Sequence, residues 1–407
     1  MNCGLLGKTL GHSYSPQIHS YLGDYPYELF ERQPEEVGDF LQNGNFTAIN
    51  VTIPYKKDVI PYCAELTDCA KKMGAVNTIV RRSDGTLIGH NTDYFGLHYT
   101  FRTMGLSLAG KKVLVLGSGG ASVTTVIVLK ELGANVVVIS RTGENNYSNL
   151  HLHADAAAIV NTTPVGMYPN AGASPVDLDL FPRLEGVLDI IYNPARTRLL
   201  LDAAERNIPC ENGLWMLIAQ AKESAEWFTG SKISDDVIPK IYDKMRKRME
   251  NIVLVGMPGC EKSTVGQLLA QQLGKEFVDA DAEIVRAAQM SIPEIFAQSG
   301  EDGFRKWETQ VLAELGQRSG LVIATGGGCV TRSENYPLLH QNGTIYWIQR
   351  DIASLPTDGR PLSQAGRLEQ MYQIRKPLYE RFADFTVSNN SSVEDTVNMI
   401  LKGRREK

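Results

Sequence analysis

Apolar, β-branched runs alternate with amphipathic stretches along nearly the whole chain. The runs FTAINVTIP (46–54), KKVLVLG (111–117), ANVVVIS (134–140), AAAIVNTTP (156–164), GVLDIIY (186–192), NIVLVG (251–256), LVIATGG (321–327) and GTIYWIQ (343–349) read as strands. Between them, stretches such as ASVTTVIVLKELG (121–133) and STVGQLLAQQLG (263–274) carry helical periodicity. This alternation predicts α/β architecture with parallel sheets. From Thr142 to Asp155 helical periodicity is missing, so one covering helix is expected to be reduced. The run DKMRKRME (243–250) closes a helix expected to start near Ser234; its basic residues complement a helix C-terminus. A new strand begins at once, which places a domain boundary close to Glu250.

Composition adds limits. The 407 residues allow two or three domains, and 43% hydrophobic with 21% charged residues describes folded cores rather than disorder. A net charge of −5 gives no electrostatic reason for a nucleic-acid or anionic-membrane partner. The N-terminus lacks the basic start and apolar core of a signal peptide, and no apolar stretch approaches a membrane span. Cysteines 3, 63, 69, 210, 260 and 329 form no C-x-x-C pair, which suits a reducing compartment; the cytoplasm is expected.

Two glycine-rich turns carry candidate chemistry. Gly117, Ser118, Gly119, Gly120 and Ala121 follow a strand and open a helix, where backbone N–H groups and the helix dipole can hold a pyrophosphate. The next strand ends at Arg141 and Thr142; an arginine there suits the extra phosphate of NADP, although a solvated loop arginine reads the same way. The second turn is GMPGCEKST (256–264). It fits the phosphate-loop pattern at Gly256, Lys262 and Ser263 but places Glu261 where the pattern asks for glycine. Gly259, Cys260 and Thr264 complete the expected ATP-binding loop.

From the N-terminus, GHSYSPQIHS, NVTIPYK, GAVNT and GHNTD occur in order, followed by the glycine turn, NTTPVGM, IIYNPARTRLL and NGLWMLIAQA. This series closely resembles shikimate dehydrogenase over residues 1 to about 248. The resemblance implies a substrate-binding α/β domain (1–100, completed by helices at about 213–248) and a Rossmann-like NADP-binding domain (101–212). It implies reduction of 3-dehydroshikimate by NADPH, with Lys56 as proton donor and Asp93 as its partner. Ser13 and Ser15, taken as alternating along an extended segment, are implied to meet the substrate carboxylate; Thr52, Asn77, Asn91, Thr92 and Gln220 are implied to meet the ring hydroxyls. Asn161 and Thr163 are implied to line the cofactor. Taken alone, Lys56 reads as a surface lysine, Asp93 as a helix cap and NTTP as a plain turn. The family usually has an asparagine before its NADP arginine; here Ser140 stands there, so the preference for NADP over NAD is expected to be modest.

After the boundary, NIVLVGMPGCEKSTVGQLLA, FVDADAEI, GEDGFRKWE, IATGGG, DGRPLS and RKPLYERFAD occur in sequence. The set is similar to shikimate kinase over 251–407, which implies a P-loop domain with a parallel sheet. Lys262 is implied to contact the terminal phosphates of ATP, and Ser263 with Asp279 to hold Mg2+. Asp281 is implied to bind and deprotonate the acceptor hydroxyl; the two aspartates were expected to alternate at a strand end, and a loop-capping pair reads equally well. Arg305 and Arg375 are implied to clamp the shikimate carboxylate, Gly326, Gly327 and Gly328 to approach its ring, and Arg360 to lie in a lid over ATP.

The two implied reactions are consecutive, so the expectation is a bifunctional enzyme of small-molecule substrates. Glu261 qualifies it. A left-handed backbone costs a non-glycine residue roughly 1–2 kcal/mol. A carboxylate about 4 Å from a phosphate charge adds up to ~4 kcal/mol at an effective dielectric of 20, less whatever rotation toward solvent and Mg2+ remove. The expectation is a nucleotide site weakened by roughly one to three orders of magnitude. The alternative is a dehydrogenase with a silent kinase-like module for binding or assembly.

Overall fold

The computed structural model describes residues 1–11, 13–355 and 365–405. Arg360 lies outside the described residues. The chain forms two compact units: one comprises Met1–Gly166, Ala173–Tyr192 and Leu199–Met245, the other Met167–Gly172, Asn193–Arg198 and Arg246–Lys407. Among the described residues no helix is long and apolar enough to cross a membrane.

The first unit contains two sheets. In chain order the first holds β1 (Cys3–Gly7), β2 (Tyr27–Glu31), β3 (Ala48–Val51), β4 (Glu65–Leu66), β5 (Thr78–Arg81) and β6 (Leu87–His90), arranged β2-β1-β3-β5-β6-β4. It is mixed rather than parallel: β5 runs antiparallel to both β3 and β6. The cause is local. Only residues 82–86 separate β5 from β6, and with Gly85 at φ +87° they turn the chain straight back.

The second sheet holds β7 (Lys112–Leu116), β8 (Asn135–Ile139), β9 (Ala158–Asn161), β10 (Gly186–Asp189) and β11 (Cys210–Glu211) in the order β11-β10-β9-β7-β8, all parallel. The helix Gly120–Glu131 links β7 to β8, whereas a single 3-10 turn, Leu150–His153, stands in the β8–β9 connection where periodicity is missing. Because the chain leaves β7 toward β8 on one side and returns to β9 on the other, a crevice opens beyond the ends of β7 and β9.

The second unit is built on β12 (Asn251–Val255), β13 (Glu276–Asp279), β14 (Leu321–Ala324), β15 (Gly343–Gln349) and β16 (Phe385–Ser388), ordered β13-β14-β12-β15-β16 and wholly parallel. Every residue of β12 is buried, as a central parallel strand covered on both faces requires. Its one polar residue is satisfied: Asn251 donates to the Arg318 carbonyl at 2.7 Å and accepts from the Leu321 amide at 2.9 Å.

Two local expectations need correcting. Ser15 is the first residue of a short helix, Ser15–His19, and its amide donates to Ser13 Oγ at 3.2 Å. A serine turn, favoured by Pro16, wins over an extended segment. Likewise Asp281 lies in the helix Ala280–Ala288, not in a strand. Asp279 caps that helix, accepting from the Asp281 amide at 3.0 Å and the Ala282 amide at 3.4 Å.

One half-buried acid sets a pH dependence. Glu211 on β11 has no hydrogen-bond partner for its buried Oε2 among the described residues. Burial, opposed by a hydrogen bond from Trp215, raises its pKa from 4.5 to about 7. An acid with a raised folded-state pKa holds its proton longer folded than unfolded, so stability falls as pH rises from about 4.5 through 7. Urea unfolding followed in the first unit should show roughly 2–3 kcal/mol lost between pH 5 and 8 from this group, absent in Glu211→Gln. An unchanged pH slope in the variant would refute the assignment.

Candidate active sites

Lys56 stands just beyond β3, and its carbonyl accepts from the Val76 amide at 2.8 Å, which pins it beside Asn77. Its Nζ lies 2.6 Å from Asp93 Oδ2, with the two side chains 28% and 14% exposed. Asp93 opens the helix Asp93–Met104, where the helix dipole favours its negative charge. Asn77 donates to Asp93 Oδ1 at 3.0 Å and to Thr92 Oγ1 at 3.0 Å, while its Oδ1 accepts from the Thr92 amide at 2.8 Å. Asn91 is buried and spends its amide on the Ala75 carbonyl and the Asp93 N–H, at 2.9 and 3.1 Å; it shapes the helix start. Thr52 directly follows the same strand beside Gly7, its amide donating to the Leu6 carbonyl at 2.9 Å.

Gln220 comes from the helix Leu214–Thr229, and a missing side chain brings it close. A Cβ on Gly96 would stand 2.7 Å from the Met216 carbonyl and 3.2 Å from Gln220 Cβ. The two helices can meet at that distance only with glycine there. Gln220 Oε1 then lies 3.3 Å from Thr92 Oγ1. Ser13 and Ser15 connect less directly. Tyr27, which is hydrogen-bonded to Ser15, donates to Asn50 Oδ1 at 2.8 Å, and Asn50 in turn reaches the Asn77 carbonyl at 3.2 Å.

The crevice beyond β7 and β9 carries the first glycine turn. Gly117 has φ +107°, and a Cβ there would stand 2.9 Å from both Thr162 Oγ1 and Thr163 Cγ2. Ser118, Gly119 and Gly120 are exposed, and a Cβ on either glycine would meet nothing within 4 Å, so the helix start is open to a ligand. Ala121 follows in the first turn of the helix. Arg141 and Thr142 are exposed just beyond β8. Asn161 is fully buried, bonding Asp189 at 3.1 Å and accepting from Thr163 N and Oγ1 at 3.0 and 2.7 Å; this assigns it to the shape of the loop.

In the second unit β12 and β14 are neighbours, so the loops that follow them share one sheet end and line a cavity of about 880 Å³. Asp279, Asp281, Arg305 and Arg375 line it as well. The guanidinium of Arg305 lies against Gly328, where a Cβ would stand 2.1 Å from Nη2; Arg375 Nη1 donates to the Gly327 carbonyl at 3.1 Å. At Gly326 a Cβ would meet Asp281 Oδ1 at 2.8 Å and Glu308 Oε1 at 2.9 Å. Arg305 pairs with Glu308 at 2.8 Å and Glu301 at 3.1 Å. Burial opposes its charge, but the two carboxylates outweigh it and hold its pKa above the ordinary value.

The phosphate loop precedes the helix Lys262–Leu273. Lys262 is buried, with Nζ donating to the Gly256 and Met257 carbonyls at 2.9 and 3.0 Å. Ser263 Oγ donates to Asp279 Oδ2 at 2.7 Å. Gly259 and Thr264 line the cavity beside them, whereas the Cys260 side chain is buried. Glu261 adopts the left-handed conformation of a glycine, at φ +66° and ψ +29°. Its carboxylate is ion-paired with Arg350 and accepts from Asn389 Nδ2 at 3.1 Å. The Arg350 hydrogen bond first, against a smaller opposing effect of burial, holds its pKa below the usual carboxylate value.

Comparison with known proteins fits this geometry. The family model for the shikimate dehydrogenase substrate binding domain matches residues 5–79, and that for shikimate kinase matches 258–403. A shikimate dehydrogenase (NADP(+)) of Clostridium beijerinckii is 33% identical over 259 residues, covering 59% of this chain and 96% of that protein. The chain belongs to the shikimate dehydrogenase family. Its C-terminal segment adds a domain of the shikimate kinase family. The crystal structure of shikimate dehydrogenase 1 from Peptoclostridium difficile shares 34% identity, with a TM-score of 0.56 over 60% of this chain and 98% of that one. A shikimate 5-dehydrogenase of Thermus thermophilus, solved with NADP(H) and shikimate, shares 27% identity, with a TM-score of 0.54 over 60% of this chain and 99% of that one.

Sequence reading passed over three residues in these sites. In the dehydrogenase, Ser224 is fully buried and joins Asn50 at 2.7 Å, Thr78 at 2.9 Å and Thr92 at 3.0 Å. Its helical spacing of one turn from Gln220 was the available signal. Glu308 stands three residues after Arg305, on the same face of its helix. Arg350 had no signal at all. Ser224→Ala removes the hub of a buried network and should lower the stability of the dehydrogenase by about 1–3 kcal/mol in urea unfolding. A loss below the error of that measurement would show that the network closes without it.

Proposed function

We propose that this chain is a bifunctional enzyme: it reduces 3-dehydroshikimate to shikimate with NADPH and phosphorylates shikimate with ATP. The supporting domain limits are 1–100 with 213–248 for the first substrate, 101–212 for the cofactor and 251–407 for the kinase, and the cytoplasm suits its unpaired cysteines. The observation that carries the dehydrogenase is the Lys56–Asp93 pair, half-sheltered at the end of β3. Bound NADPH supplies the hydride. Lys56 donates the proton to the carbonyl oxygen, and Asp93 orients its ammonium and stabilises its charge. Asn77 and Gln220, bonded through Thr92, present amides to ring hydroxyls, with Ser13 and Ser15 nearest the carboxylate. The cofactor fits the exposed Ser118–Gly120 turn, whose glycines leave room for phosphate oxygens, and Arg141 beyond β8 offers a cation to an extra phosphate.

For the kinase, Asp281 accepts the proton of the acceptor hydroxyl while Arg305 and Arg375 hold the carboxylate beside the three glycines. Lys262 leaves two loop carbonyls for the terminal phosphates. Ser263 and Asp279, 2.7 Å apart, are hard oxygen donors that fit Mg2+, which neutralises developing phosphate charge. The left-handed backbone at Glu261 favours one second reading, a dehydrogenase with a silent kinase-like module.

Two measurements decide. Lys56→Ala should cut kcat for 3-dehydroshikimate reduction by roughly 10²–10⁴ without changing the melting temperature; a near-native rate removes Lys56 from the mechanism. ADP release with shikimate and MgATP should be detectable in the natural chain. Silence there with turnover in Glu261→Gly establishes the second reading instead.

A further inference from the structure

The phosphate loop carries a carboxylate where nucleotide phosphates are expected, yet the structure shows that carboxylate held through one oxygen by two partners. Glu261 is one of three non-glycine residues at positive φ among those described, and the only one of them with a side chain pinned by two partners on other elements. Arg350 follows the last residue of β15, the strand paired with β12, so the end of β15 lies beside the start of the loop. Asn389 follows β16 and is itself fixed. It is 1% exposed, its amide donates to the Gln349 carbonyl at 2.6 Å, and its Oδ1 accepts from Thr396 at 2.7 Å. Its Nδ2 also reaches the Cys260 carbonyl at 3.0 Å, tying the loop backbone at the residue before Glu261. Glu261 lines the cavity with Lys262, Ser263 and Asp281, whereas Arg350 and Asn389 are both absent from that lining.

We propose that Arg350 is a positioning residue for the nucleotide site. It neutralises Glu261 and holds its carboxylate at the cavity wall, toward the ends of β15 and β16, so that the loop keeps its left-handed turn and its N–H groups meet phosphate with the opposing charge paired. The inference rests on the kinase reading above and deepens it. Its central consequence is conditional: Arg350 matters to the nucleotide only while Glu261 is present. With glycine at position 261 there is no charge to cancel and no side chain to anchor, and Arg350 becomes an ordinary residue after a strand. An arginine that instead touched the nucleotide, or merely held the fold, would matter equally in both backgrounds.

The test is a double-mutant cycle on the full chain, with Arg350→Met, Glu261→Gly and the pair together, read by calorimetry of MgADP binding and by steady-state kinase kinetics. In the natural background Arg350→Met should weaken MgADP and raise KM for ATP by about tenfold, with kcat and KM for shikimate changed by less than about twofold. In the Glu261→Gly background the same change should move MgADP affinity by less than about twofold. Arg350→Lys, which keeps the charge, should recover most of the natural affinity. The dehydrogenase rate of each variant serves as a control for correctly folded chain. Equal weakening in both backgrounds, or none in either, overturns the inference. Absence of ADP release in every variant, with the binding cycle intact, defeats phosphoryl transfer but leaves the pairing standing. Failure of every variant to bind MgADP defeats both.

Discussion

The chemistry proposed for the first unit depends on a lysine held against a carboxylate by groups that cannot themselves react. Asp93 faces Lys56 at 2.6 Å because three neighbours fix it: Asn91 through its amide, Asn77 through one carboxylate oxygen, and the helix it opens through its dipole. Asn77 in turn is set by two strands, its carbonyl accepting from Val51 and its amide donating to His90. A shift of either strand would therefore move the proposed proton donor. Here the mixed topology of the first sheet acts on function, since the tight β5–β6 turn keeps Asn77 and Asn91 side by side.

Each candidate phosphate-binding turn meets the same problem with different materials. The turn after β7 offers exposed backbone and no lysine, relying on glycine and helix polarity. The turn after β12 holds its lysine in reserve against two carbonyls, so a phosphate must outcompete those acceptors to recruit it. That exchange is favourable because a charged acceptor bonds an ammonium more strongly than a neutral carbonyl does.

Much of this was legible in the sequence where the signal was local. Strands β3, β7 to β10, β12, β14 and β15 showed as apolar runs, whereas the short β11, β13 and β16 did not, and Gly117, Lys262 and Ser263 showed as spacing within a few residues. The conformations of Ser13 with Ser15 and of Asp279 with Asp281 were misjudged for one reason. Each pair sits at a helix start, where a side-chain oxygen accepting from a backbone amide decided the geometry: a serine turn at Ser13 and a cap at Asp279. Period alone cannot register that competition. Arg350 was out of reach for a different reason: it meets Glu261 89 positions away, and only the folded chain brings the two together; Ser224, whose partner Asn50 is 174 residues away, was signalled only by its one-turn spacing from Gln220.

Glu261 shows why a departure from a motif cannot be priced from the motif alone. Two costs were foreseen: a strained backbone and a repelling charge. The first is present, at φ +66°. The second is not a property of residue 261 alone but of residue 261 with its surroundings, where an arginine and an asparagine following two neighbouring strands hold one oxygen of its carboxylate. The anchorage also acts on the first cost. A left-handed residue costs roughly 1–2 kcal/mol against relaxed alternatives, and a side chain held at its far end removes those alternatives. A carboxylate in this loop, so held, can therefore maintain the turn that a glycine merely permits.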